Sequence, residues 1–229
     1  MSISGFFVTG TDTGIGKTHV SRVLADTLAD RYRVTYLKPV QTGCIKQPDG
    51  ELVAPDYEHV MAGKATKCGT YADHVPYRYA PACSPHLAAQ LAHEKIAFSR
   101  IDAAFCMLTR RADITIVEGA GGIQVPLGAG LFTLDLVAEL GIGTVVVTTP
   151  RLGTLNHTFL TIEALRRRNI KLLGVAFNNH VQHPKDFIHH DNRSMIEAFA
   201  SPAPLIEIDY GTYTQESIRE FCDEIRQQL

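Results

Sequence analysis

The chain is predicted to form a doubly wound α/β fold, a mostly parallel sheet with helices on both faces. Short, β-branched apolar runs alternate with helix-period segments along most of the chain. The runs over 114–117 and 143–149 are of the buried type, the second almost wholly apolar, as expected of a central parallel strand. The first run opens into a Gly/Thr/Asp loop and then directly into a helical pattern. Such sheets bind ligands there, beyond the carboxyl ends of their strands.

That first junction carries the strongest motif. A strand over 6–9 is followed by GTDTGIGKT over 10–18. In a strand, loop and helix of this kind, backbone N–H groups and the helix dipole face an anion. Lys17 then reaches the β/γ-phosphates, and the Thr18 hydroxyl is placed for Mg²⁺. The strict pattern has glycine five residues before Gly16, where this chain has Thr11 with Gly10 beside it. The alternative is a glycine-rich turn with an incidental lysine. Position between strand and helix favours the phosphate site, and with it a fold of the P-loop NTPase type.

The length fits one α/β domain over 1–229. A net charge of -2 and the lack of a dense Lys/Arg tract argue against a nucleic-acid surface. The five cysteines, Cys44, Cys68, Cys83, Cys106 and Cys222, are odd in number and have no metal-ligand spacing. Reduced thiols and a cytoplasmic setting are expected. The chain enters its first strand without a leader-like segment, and no apolar run approaches the ~18 residues of a spanning helix, so no membrane association is expected.

Val20, Val23, Leu24 and Leu28 recur at helical spacing, which predicts a helix over 17–30. A strand over 33–37 delivers Lys38 to the rim of the first loop. Lys38 is either a site group or a surface lysine closing a strand. Residues 41–86 lack periodicity apart from a short helix over 55–62. They keep Tyr57, Tyr71, Tyr77 and Tyr79, and read as an active-site insertion. Ser84 as N-cap and Pro85 at the first helical position start a helix to about His93, and another spans 100–110.

A strand over 114–117 ends at Glu118, which glycines follow. That carboxylate either organises Mg²⁺ or water, or is the acidic rim of a glycine turn. A helix over 132–139, a strand over 143–149 and a loop over 151–156 come next. The loop leads into a helix whose end, Arg166 to Arg168, suits the dipole and solvent. A strand over 172–177 delivers Asn178, whose amide could pair with adenine or cap a turn. A helix within 184–200, a strand over 204–208 and a helix over 215–228 complete the chain. The histidines are densest at His180, His183, His189 and His190. Lacking cysteine or carboxylate partners, they read as a hydrated surface cluster, not a transition-metal site.

Together, GTDTGIGKT (10–18), YLKPV (36–40) with Thr42 and Gly43, SPH (84–86), VEGAGG (117–122), LGTLNH (152–157), Asn178 and PAPL (202–205) resemble the dethiobiotin synthetase family. The resemblance covers nearly the whole chain, in order and spacing. It implies ATP-dependent closure of a cyclic urea from 7,8-diaminopelargonate, a vicinal diamine, and CO2. The products would be dethiobiotin, ADP and phosphate, by way of a carbamate and a mixed carbamic-phosphoric anhydride.

Mg²⁺ with the ATP, and a homodimer with substrate near its interface, are also implied. By residue, the resemblance implies catalytic roles for Lys17 and Lys38. It implies nucleotide contacts from Thr13, Gly14, Ile15, Gly16, Lys17, Thr18 and His19, with Asn178 reading adenine. Asp56 and Glu118 would join Thr18 around Mg²⁺. Thr11, Thr42 and Gly121 would meet the substrate, and Leu152, Gly153 and Asn156 would reach it across the subunit interface. Residues 209–217 depart from the family pattern after the last strand. The rival is a regulatory or partitioning ATPase acting through partner binding. Such proteins place a second lysine early in the phosphate loop, where Thr11, Asp12 and Thr13 supply none.

Overall fold

A computed structural model describes residues 5–128, 130–179, 184–209 and 214–229. In chain order the elements are β1 (Gly5–Gly10), α1 (Lys17–Leu28), β2 (Val34–Leu37), β3 (Val40–Thr42), β4 (Ile45–Lys46), β5 (Leu52–Val53), α2 (Pro55–Met61), α3 (Tyr71–His74), β6 (Tyr77–Tyr79), α4 (Pro85–Leu91) and α5 (Phe98–Thr109). They continue as β7 (Ile114–Gly122), β8 (Pro126–Gly128), β9 (Leu131–Phe132), α6 (Thr133–Leu140), β10 (Gly143–Thr148), α7 (Thr154–Arg167), β11 (Leu172–Asn179), α8 (Phe187–Ala200), β12 (Leu205–Asp209) and α9 (Gln215–Gln228).

Six strands form one sheet in the order β12-β11-β10-β1-β7-β2, and every pairing in it is parallel. Because side chains alternate along a strand, each strand feeds two cores. Phe6, Val8, Val34, Tyr36, Ile114, Ile116, Val145 and Val147 pack with α1, α2 and α9 on one face. Phe7, Leu37, Val117 and Val146 pack with α4, α5 and α6 on the other. This double cover explains the unbroken apolar runs, and β1 lies inside the sheet.

Several expectations are corrected. The strand over 114–117 runs on to Gly122, pairing Val8 with Glu118 and Gly10 with Gly122 across a register shift. Its glycine-rich tail reads locally as a turn; it does bulge, with Gly121 at a φ of 67°, before pairing with β1 again at Gly122. Residues 41–86 are more ordered than their sequence suggests. There β3 pairs with β6 in parallel, and β4 with β5 in antiparallel. Strands of two or three residues are too short to show a period. A Thr70/Asp73 capping box also starts α3.

Helix α7 begins at Thr154, so Asn156 sits in its first turn and not in a loop. Ser84 is the N-cap residue of α4 but makes no side-chain capping bond. His189 is buried, not a hydrated surface group. Its Nε2 lies 2.9 Å from Glu207 Oε1, a partner brought in by β12. His180 and His183 lie outside the described residues, as do 210–213 of the divergent segment.

Candidate active site

The loop between β1 and α1 wraps an open end of the helix. Gly16, at the N-cap, holds φ at 84°, a conformation that costs L side chains but not glycine. Lys17 turns back, and its Nζ donates to the Asp12 carbonyl at 2.9 Å. Thr18, one residue along, faces the adjoining strand β7.

There Glu118 is the hub. It is fully buried, and both carboxylate oxygens are filled. Thr18 Oγ1 at 2.9 Å and Lys38 Nζ at 2.8 Å donate to Oε1, while Ser21 Oγ at 2.7 Å and Tyr36 OH at 3.0 Å donate to Oε2. Lys38 Nζ also lies 2.6 Å from Asp56 Oδ2 and donates to the Gly119 carbonyl at 3.2 Å. Burying a carboxylate is costly unless donors of this density surround it.

The charges respond accordingly. Burial, with Lys38 nearby, drops Lys17 to about 8. Burial also opposes the charge on Lys38, but the Glu118 and Asp56 carboxylates outweigh it and raise its pKa. For Asp56, burial is likewise outweighed, here by Lys38, and the pKa falls. Burial and Glu118 push the Tyr36 phenol well above its ordinary value, leaving it a donor at any working pH. Asp12 is held low by the Thr13 N–H, against burial, and by Arg151.

A cavity of about 720 Å³ opens onto these groups. Of the residues singled out from sequence, Thr13, Gly14, Gly16, Lys17, Thr18, Lys38, Thr42, Asp56, Glu118 and Gly121 line it. Val40, Pro85 and Val125 add apolar wall. Thr11 is not in its wall: its N–H is bonded to the Val147 carbonyl at 3.0 Å and its hydroxyl donates to Thr148 Oγ1. Ile15 turns its side chain into the core, and its carbonyl accepts Asn178 Nδ2 at 2.8 Å. Asn178 thus ties β11 to the loop, and its buried Oδ1 has no partner. His19 follows half-buried on α1. Leu152, Gly153 and Asn156 are exposed and are not in the cavity wall.

Sequence reading missed Ser21, Tyr36 and Gln41. Ser21 lies one helical turn past Thr18, and Tyr36 is two residues before Lys38 on the same strand face, so both periodicities pointed to them. Gln41 lines the cavity, and its Nε2 donates to the Thr42 carbonyl at 2.9 Å. Among the described residues no group of three His, Cys, Asp or Glu side chains forms a metal cage. Thr18 and Asp56 nevertheless bring hard oxygen atoms, of the kind that could hold Mg²⁺, to the cavity wall.

Solved structures with this architecture include a putative plasmid partition protein of Borrelia burgdorferi bound to AMPPNP, at 10% identity and a TM-score of 0.63, with all of both chains covered. The cell-division ATPase MinD of Pyrococcus furiosus is similar at 15% identity and a TM-score of 0.57, over 99% of this chain and 100% of that one. A family model described as AAA domain matches residues 4–215. Fold and loop together define a P-loop ATPase-type protein.

Sequence relatives narrow the class. The chain is 36% identical over 215 residues to the ATP-dependent dethiobiotin synthetase BioD of Anoxybacillus flavithermus, covering 92% of this chain and 93% of the relative. The protein of the same name from Methanococcus vannielii is 38% identical over 75% of this chain and 77% of its own. The chain belongs to the ATP-dependent dethiobiotin synthetase family.

Proposed function

We propose that the cavity between the phosphate loop, Lys38 and the 82–85 segment closes the urea ring of dethiobiotin. The enzyme is an ATP-dependent cyclo-ligase taking 7,8-diaminopelargonate and CO2 and releasing dethiobiotin, ADP and phosphate. The observation that carries the assignment of the site is the Lys38 ammonium, held between Asp56 and Glu118 at the wall of a cavity that Lys17 also lines. The catalytic rim belongs to one α/β domain.

The chemistry needs these charges. One amine of the diamine takes up CO2 as a carbamate. The carbamate oxygen then attacks the γ-phosphate, releasing ADP, and the second amine attacks the mixed anhydride, releasing phosphate and closing the ring. Carbamate and triphosphate are both anionic, and their approach is opposed in a dry site. Lys17 and Lys38 offset that repulsion and stabilise the transferring phosphoryl group. Asp56 and Glu118 keep Lys38 protonated and aimed.

Phosphate contacts fall to Thr13, Gly14, Gly16, Thr18 and His19, with the Ile15 backbone. The unpartnered Asn178 Oδ1 suits the amino group of adenine. Thr18 and Asp56, with Glu118 behind them, would hold Mg²⁺, which would supply further positive charge to the phosphates. Thr11, Thr42 and Gly121 face the diamine.

A homodimer completes the site: the turn at Leu152, Gly153 and Asn156 reaches the diamine's carboxylate end in the neighbouring subunit. Exposed Leu152, Leu160, Phe187 and Met195 give α7, α8 and their approaches an apolar surface for that contact. A cytoplasmic setting accords with the five free cysteines. No helix among the described residues is long and apolar enough to cross a membrane.

The test is incorporation of labelled bicarbonate into acid-stable product with MgATP and 7,8-diaminopelargonate, with matching phosphate release. Label that requires both substrates supports the reading. Nucleotide binding without label overturns the assigned substrate.

A further inference from the structure

Two links join the phosphate loop to the start of α7, and both lie outside the cavity. In the first, Thr11 Oγ1 donates to Thr148 Oγ1 at 3.4 Å, and Thr148 Oγ1 lies 2.7 Å from both Thr154 Oγ1 and Thr158 Oγ1. Thr148, Thr154 and Thr158 are buried. A hydroxyl has one proton to give. With Thr11 donating, Thr148 gives its own proton to one α7 threonine and accepts from the other. All four hydroxyls are satisfied together only while the loop, β10 and the first turns of α7 keep this spacing.

In the second link, the Arg151 guanidinium pairs with the Asp12 carboxylate, whose other oxygen accepts the Thr13 N–H at 2.7 Å. Adjacent loop residues, Thr11 and Asp12, are therefore tied to residues on either side of the 149–150 corner. Beyond these ties α7 starts with an open end. Gly153 at its N-cap supplies no side-chain cap, the first turn holds no acid, and Leu152 is 93% exposed. The Thr154 N–H already donates to the Arg151 carbonyl at 3.1 Å, so the exposed Leu152, Gly153 and Asn156 are the part of that end left to meet an aliphatic carboxylate.

We propose that Thr148 and Arg151 are positioning residues that couple nucleotide binding to diamine binding. The proposal rests on the reading that the 152–156 turn meets the carboxylate end of the diamine. A triphosphate settles the phosphate loop through Lys17 and the loop N–H groups. The settled loop, through Thr11 and Asp12, holds the 151–154 turn in its receiving geometry. In the homodimer, ATP on one subunit thereby prepares the diamine site of the other. The coupling is reciprocal, so diamine tightens nucleotide binding by the same factor.

The experiment is a calorimetric titration of the full chain with 7,8-diaminopelargonate, alone and with saturating magnesium and a non-hydrolysable ATP analogue. For the unaltered protein the analogue is expected to tighten diamine binding about tenfold. Thr148→Val and Arg151→Ala should each bring that ratio to within about twofold of one, leaving the analogue's own affinity in the absence of diamine within about twofold. Thr148→Ser and Arg151→Lys should restore most of it, a rescue that loss of packing alone would not give. Arg151→Ala keeps the test decisive if Thr148→Val fails to fold, because its side chain is on the surface. A ratio of one in the unaltered protein, or a ratio that neither substitution moves, overturns the coupling alone. No diamine binding at all overturns the function reading and the coupling with it.

Discussion

Lys38 and Glu118 are 80 residues apart in the chain, yet Lys38 Nζ lies 2.8 Å from Glu118 Oε1, and both side chains are almost wholly buried. The pairing follows from β2 lying beside β7, which puts the end of one strand against the middle of the other. Burying either charge alone would be costly, and burying both with five further polar contacts makes a fixed cation at the cavity wall.

Lys38→Ala should therefore damage two properties. Loss of transition-state charge stabilisation is expected to cost about 3–4 kcal/mol, on the order of a hundredfold or more in kcat. Nucleotide affinity should change far less. The orphaned Glu118 should also lower stability by about 3–5 kcal/mol. Denaturant titration of Lys38→Met against Lys38→Met/Glu118→Gln checks this, the double variant being the more stable. Normal turnover by Lys38→Ala at saturating substrates would refute the assignment.

Lys17 makes nucleotide binding pH-dependent. With its pKa lowered to about 8 in the free enzyme, the lysine loses its charge as pH rises through 8, while bound phosphates favour the charged form. Affinity for an ATP analogue should hold below pH 8 and weaken up to roughly tenfold per pH unit above it. Lys17→Arg, always protonated, should remove the bend even if it binds more weakly throughout. Equilibrium titrations between pH 7 and pH 9.5 decide the matter, and equal slopes for both proteins would contradict it.

Gly10 takes on the close-approach role that the strict motif gives to the next position. A Cβ there would stand 2.7 Å from Ile15 Cδ1, 2.9 Å from the Asp12 carbonyl oxygen and 3.0 Å from Lys17 Cδ. Gly10→Ala should displace Lys17 and weaken nucleotide binding at least tenfold, or about 1.4 kcal/mol. Unchanged affinity in a fluorescence titration would show that the loop absorbs the methyl group.

Ser21→Ala and Tyr36→Phe each remove one donor from Glu118 Oε2. Each is expected to cost about 1–3 kcal/mol of stability, the penalty for under-satisfying a buried acceptor. The pair should be non-additive because they share one oxygen. Thermal or urea unfolding of the single and double variants measures this directly.

His74 adds an acid sensitivity. It is buried, its Nδ1 lies 2.7 Å from the Tyr36 carbonyl oxygen, and burial lowers its pKa below 6.5. The unfolded chain binds a proton at His74 before the folded one does. Its contribution is therefore complete above pH 6.5 and is lost as pH falls towards the folded pKa. His74→Gln should show a smaller fall in Tm between pH 7.5 and pH 5.5 than the unaltered protein. An identical fall would remove His74 as a source of acid sensitivity.

Much of this was legible in the sequence. The phosphate loop was, because a strand, glycines, Lys17 and Thr18 act through local backbone geometry. The six main strands and the long helices were, because both faces of the sheet are covered and apolar periodicity reports that directly. Lys38 could be placed beside the phosphate loop from the end of its strand, whereas Glu118, expected at a strand end, lies buried in the middle of β7. Less visible were the short pairs β3/β6 and β4/β5, whose hydrogen bonds come from distant segments. The extension of β7 through its glycines was hidden for the same reason: turn propensity is local, whereas the partner strand β1 is more than a hundred residues away.

By itself, then, the sequence determined the alternating α/β plan, the anion loop at its first junction and the residues with charges to contribute. These depend on side-chain size, polarity and spacing within a few turns of chain. The tertiary structure alone decided that Glu118 is a buried hub for Thr18, Ser21, Tyr36 and Lys38, and that Arg151 reaches Asp12. A buried charge takes its character from whichever donors the folded chain places within about 3 Å, and that set is chosen by strand order and register.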